Sequence, residues 1–288
     1  MDVGLNQKAT VMIKALGVSG WLLPAGLVVF LALAVTQAAA ADFSKPGPFA
    51  IGVQELTIQD ATGEHLLQTY VWYPAAGPAP DAAALPTPDA PPATTGPYPL
   101  VVLISGLSMP GGPYRGWGEL LASHGFVAFA STYDHFGGGD AGPQLLYGRP
   151  ADVLRVIGFA DTLTASDGKL AGLIDTAHIG VWGMSTGGTT ALQAGGARID
   201  FKALKAWCAA NEAERYGESC QFVGQELATA KLYGVADPFA QSLPAHSDSR
   251  VAAVVLASPG GELQVFGAAG IAAVKVPMLI MVASETLW

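Results

Sequence analysis

Ile179-Gly180-Val181-Trp182-Gly183-Met184-Ser185-Thr186-Gly187-Gly188-Thr189-Thr190-Ala191-Leu192-Gln193-Ala194 is the stretch on which the fold of this chain turns. Ile179 to Trp182 reads as a buried strand, and Thr189 to Ala194 has helical spacing. Between them stands G-x-S-x-G, Gly183 to Gly187, in the strand–turn–helix setting that gives the pattern its meaning. The reason is steric: a serine on so tight a turn leaves no room for side chains two positions to either side. Such a turn holds the serine hydroxyl clear of the sheet, at the start of a helix whose free amides can stabilise an oxyanion. Ser185 is therefore the candidate nucleophile. The alternative is a small-residue turn needed only for close packing.

Outward from this stretch, strand-length apolar runs alternate with helical patterns. Leu100 to Ile104, Phe126 to Phe129, Val251 to Leu256 and Val276 to Val282 read as strands buried on both faces. Trp117 to Ser123 has helical spacing, and Ala151 to Leu163 reads as a helix after Pro150, with Asp152 in its first turn. Nearer the start, Ile51 to Ile58 and Leu66 to Tyr73 read as two strands joined through Asp60-Ala61-Thr62-Gly63. The fold class expected is α/β, a mostly parallel central sheet with helices on both faces. Residues 77–99 contain eight prolines and read as an extended, solvated insertion. No internal repeat is found. The loop Ser105-Gly106-Leu107 follows the Leu100–Ile104 strand, where a hydrolase needs a second oxyanion amide, so Leu107 and Thr186 are the expected donors.

Composition sets the bounds. The chain has 288 residues, 51% hydrophobic and 13% charged, which excludes a disordered polymer and is ample for a core. With 14 basic and 23 acidic residues it carries a net charge of −9, and without a basic run it is not expected to bind nucleic acid. Gly137 to Gly142 formally fits G-x-G-x-x-G, but Pro143 follows and no helix is expected to open there, so the segment reads as a rim loop. No H-E-x-x-H, G-K-[ST] or clustered His/Cys pattern occurs, so no metal and no nucleotide cofactor is expected.

The first 41 residues stand apart. Lys8 and Lys14 precede a 21-residue apolar run from Ala15 to Val35, and Gln37 to Ala41 is a small-residue cleavage site. This is the pattern of a secretory signal peptide cut near Ala40, and of a membrane anchor if it stays uncut. The mature chain, 42–288, is expected to be periplasmic or secreted. Loss of Asp2, Lys8 and Lys14 takes its net charge to −10. Export to an oxidising compartment allows the only two cysteines, Cys208 and Cys220, to pair.

From Phe49 onward the chain resembles the α/β-hydrolase family of dienelactone hydrolases and type II platelet-activating factor acetylhydrolases. Tyr70-Val71-Trp72-Tyr73-Pro74 is similar to its early strand, and Leu120-Leu121-Ala122-Ser123-His124-Gly125-Phe126 to its helix-to-strand junction. Ile174-Asp175 to Gly188 is similar to its approach to the elbow, and Trp207-Cys208-Ala209-Ala210 with Cys220 to a paired-cysteine insertion of bacterial members. Cutinase-like polyester hydrolases share the junction. The resemblance implies hydrolysis of a carboxylic ester, from a small-molecule, lipid or polyester substrate, by a Ser–acid–His triad without a cofactor. A dienelactone-type site would use a cysteine nucleophile, but the elbow here carries serine.

Two family features are altered. Where acetylhydrolases carry an acid after the sixth strand this chain has Ser258, and after the next strand the only nearby carboxylate is Glu285, the candidate acid. The family histidine lies beyond the position matched by Trp288. Only His246 follows Ser185, at an unfamiliar place; His135 is the second choice, and His65, His124 and His178 read as structural. The chain is accordingly expected to lack the last helix and strand of the fold. The rival expectation is a hydrolase-fold protein with an incomplete site that binds or does nothing.

Overall fold

A computed structural model describes residues 42–60, 65–79, 85–107, 110–133, 141–211 and 219–282. The expected signal peptide, most of the glycine-rich segment 137–142, His135 and Glu285 lie outside them.

Alternating apolar residues in the first two segments give β1 (Ala50–Gln59) and β2 (Leu66–Ala75), an antiparallel pair closed by the Asp60 amide on the His65 carbonyl. The continuous apolar runs give β4 (Tyr98–Ile104), β5 (Val127–Ser131), β6 (Ile174–Met184), β7 (Val251–Ala257) and β8 (Met278–Met281), parallel to one another, with β5 antiparallel to β2 on its other side. A two-residue β3 (Thr87–Pro88) lies on the outer side of β1. The strand order is β3-β1-β2-β5-β4-β6-β7-β8, a single eight-stranded, mostly parallel sheet.

Helices cover both faces, unequally. On one face α1 (Arg115–Ser123) packs against β1, β2 and β5 over Trp72, Leu103, Ala128 and Ala130. The opposite face carries the main core under α3 (Arg149–Thr164), α4 (Thr186–Ala194) and α5 (Phe201–Ala210). A helical turn, α2 (Ala141–Pro143), and a π-helical stretch, Gln144–Gly148, run directly into α3. The short α6 (Glu226–Leu232) packs against this stretch, and α7 (Gly267–Ala272) follows a 3-10 segment, Gly261–Phe266. Arg250 pins the approach to β7 by pairing with Asp161 of α3 at 2.8 Å and with Asp248 at 2.8 Å.

The proline-rich stretch corrects one expectation in part. It is largely exposed, as expected, yet it is also built into the sheet edge. Thr87 and Pro88 pair with Gly52 and Val53, the Ala93 amide donates to the Pro74 carbonyl, and Ala90 is buried. Proline is tolerated there because an edge strand needs no donor on its outer side. Cys208 and Cys220 form a disulfide that ties the end of α5 to the 3-10 turn Cys220–Phe222. Among the described residues, no helix is long and apolar enough to cross a membrane.

Candidate active site

β6 delivers Ser185 to the carboxyl edge of the parallel strands, and the turn into α4 is as tight as the sequence demands. Ser185 has φ 53° and ψ −126°, a left-handed conformation that costs a side-chain-bearing residue about 1–3 kcal/mol. A Cβ on Gly183 would sit 2.0 Å from the Gly187 carbonyl oxygen. One on Gly187 would sit 2.3 Å from the Ile104 oxygen and 2.6 Å from that of Ser105. The first glycine is therefore required by the turn itself. The second is required because the loop after β4 passes directly over it.

The turn is held by the Ser185 amide donating to the Ala257 carbonyl (3.1 Å) and the Gly188 amide donating to the Ser185 carbonyl (2.8 Å). Ser185 occupies the N-cap position of α4, but its hydroxyl makes no capping bond. Thr186 follows as the first helical residue, where an amide has no acceptor within its own helix. Leu107, 46% exposed, lies three residues beyond the end of β4, where the Ile104 and Ser105 carbonyls crowd Gly187. The structure thus brings the elbow and the Leu107 loop together.

Beneath the elbow lies a buried polar network. Glu262, 4% exposed, accepts from the Thr186 hydroxyl at 2.8 Å through Oε1 and from the Thr189 hydroxyl at 3.3 Å through Oε2. On the other side of the same helical turn, Thr190 donates to the Thr186 carbonyl at 3.2 Å. Thr190 in turn accepts from Nε of the fully buried Arg149 at 3.4 Å. Burial pushes the Arg149 pKa down, opposed by the nearby Tyr133, Asp152, Glu262 and Tyr114.

Sequence reasoning missed both charged residues. Glu262 comes four residues after Ser258, outside the two places where the resemblance puts an acid. Thr186, Thr189 and Thr190, hydroxyls on a buried helix that needs partners for them, were the available signal. Arg149, between Gly148 and Pro150, carries no signal of its burial in the sequence.

The four described histidines sit elsewhere. His124 bonds the Lys45 carbonyl at 2.9 Å, and His178 pairs with Asp175 at 2.6 Å, seven residues down β6 from Ser185 and so roughly 23 Å away along the strand. His65 pairs with the buried Asp152 at 2.9 Å from the start of β2, three strands and roughly 14 Å across the sheet from β6. His246 packs between the rings of Tyr147 (4.8 Å) and Tyr233 (5.6 Å). The Tyr233 hydroxyl donates to Gln193, at the far end of α4 from Ser185, about 12 Å along that helix. The described residues thus gather the elbow serine, the loop after β4 and the Glu262–Arg149 network around the first turn of α4. Among the described residues no group of three or more His, Cys, Asp or Glu could hold a metal ion.

No protein-family model matches the chain, and no curated protein matches it.

Proposed function

We propose that this protein is a serine hydrolase with the α/β-hydrolase architecture. Within that class it is read as an exported carboxylic-ester hydrolase. The observation that carries the reading is the backbone of Ser185, φ 53° and ψ −126°, between a parallel strand and a helix, with Gly183 and Gly187 packed too closely for any side chain. The strand order supports it. An antiparallel β1–β2 pair leads into β5-β4-β6-β7-β8, a doubly wound arrangement with Ser185 at the carboxyl edge, where ligands bind in such sheets.

In this chemistry the Ser185 oxygen attacks the ester carbonyl carbon as its proton passes to a general base. The Leu107 and Thr186 amides hold the tetrahedral oxyanion, the alcohol departs, and water releases the acyl group from Ser185. The substrate class is a carboxylic ester of a small molecule, a lipid or a polyester. One observation favours a second reading, a hydrolase fold that binds without turnover: the four described histidines all lie away from Ser185.

Turnover of p-nitrophenyl acetate and butyrate by the protein and its Ser185→Ala variant separates the two. Ester hydrolysis is expected, reduced at least about 10³-fold by the substitution. Rates equal in both proteins, with both folded, would leave only the binding reading.

A further inference from the structure

Arg149 is an unusual residue to find where it is. It stands where the π-helical stretch Gln144–Gly148 runs into α3, and its side chain is fully buried. A buried guanidinium persists only where its N–H groups are satisfied, and these bonds go to three segments of chain. Nη2 donates to the Ser105 carbonyl, Nη1 to the Tyr133 carbonyl at 3.1 Å, and Nε to the Thr190 hydroxyl at 3.4 Å. The guanidinium carbon lies 5.4 Å from the centre of the Tyr133 ring.

Two of these bonds lead to the expected oxyanion donors. Ser105 is two residues before Leu107, so holding its carbonyl holds the peptide plane next to the one that carries the Leu107 amide. Thr190 passes its own hydroxyl to the carbonyl of Thr186, the residue that supplies the other amide. The two amides are thereby referred to one rigid, planar group. The nearby carboxylates of Asp152 and Glu262 favour its charge.

We propose that Arg149 is the positioning residue of the oxyanion site: it sets the Leu107 loop against the first turn of α4 so that both amides point at one oxygen. The inference rests on reading Ser185 as an acyl-transfer nucleophile. Lysine at this position keeps the charge but cannot span the Ser105 carbonyl, the Tyr133 carbonyl and Thr190 in the same plane. A misaim of the donors by about 1 Å costs on the order of 10²-fold in rate.

The test compares wild type with Arg149→Lys and Arg149→Met. For Arg149→Lys, kcat on p-nitrophenyl butyrate is expected to fall roughly 10- to 100-fold with KM changed less than about threefold. Affinity for a trifluoromethyl ketone, which forms the tetrahedral adduct, is expected to fall by the same factor as kcat/KM. Affinity for a non-reacting amide analogue should hold. Amide hydrogen exchange over Ser105–Leu107 is expected to quicken in both variants while β4, β5 and β6 keep their protection. Unchanged kcat and ketone affinity in Arg149→Lys would overturn the proposal, and so would faster exchange spread evenly over the sheet. If wild type shows no Ser185-dependent turnover, the hydrolase reading fails by itself. The exchange arm then decides the brace: quickening confined to Ser105–Leu107 upholds it, and no change refutes it.

Discussion

Ser185 pays for its position in backbone strain, since a residue with a Cβ is held at φ 53° by the strand before it and the helix after it. Glycine populates that region freely, so Ser185→Gly is expected to release about 1–3 kcal/mol and raise the melting temperature by roughly 2–6 °C while removing the nucleophile. A calorimetric scan with an equal or lower melting temperature would show that the turn stores no strain. The elbow was legible because its constraint is local: a serine between two glycines, after a strand, needs no knowledge of the rest of the chain. Arg149 and Glu262 were not legible on the same terms. A lone arginine or glutamate in sequence reads as a solvated surface charge. Only the packing of α3 and of the Gly261–Phe266 segment against α4 shows that both are buried and bonded.

Elements show the same division between local and distant causes. Strands built on long apolar runs stand where those runs predicted, but β6 begins at Ile174 and not Ile179, because Ile174 and Asp175 pair with Tyr98 and Pro99 before a shift in register. α4 begins at Thr186, three residues earlier than its helical spacing suggested, because the elbow forces Thr186 to Gly188 into the first turn despite two glycines. Between the π-helical stretch and the end of α6, His246 is clamped by the rings of Tyr147 and Tyr233, and burial holds its pKa below the ordinary 6.5. Above 6.5 the ring is neutral in folded and unfolded chains, and its contribution to stability is complete. Below 6.5 the unfolded chain takes up a proton that the folded chain resists, so stability falls with pH down to the folded-state pKa. Thermal melts from about pH 8 to about pH 5 should show this loss, flattened in His246→Phe. A wild-type profile with the same slope as the variant's would remove His246 as its source. The lowered carboxylates of Asp175 and Asp248 act in a separate window, near and below their ordinary 3.8.

At the scale of the whole molecule the sheet is unevenly dressed. The α/β class was legible from alternation of strand and helix patterns; the strand order was not, because pairing is decided by contacts distant in sequence. Among the described residues β8 is an edge strand, with Met278 37%, Ile280 43% and Met281 37% exposed. A parallel edge with apolar side chains turned to water is a template for pairing with another chain. A polypeptide of residues 42–288 is expected to self-associate with rising concentration in light scattering, and Ile280→Lys to reduce it; a strictly monomeric sample would show the edge to be covered. On another side of the molecule, the Cys208–Cys220 bond encloses eleven residues in a covalent ring. A protease that cuts once anywhere inside that ring therefore releases nothing: the two pieces travel as one until a reductant opens the bond, and a nicked molecule keeps its mass, apart from the added water, in any oxidising medium.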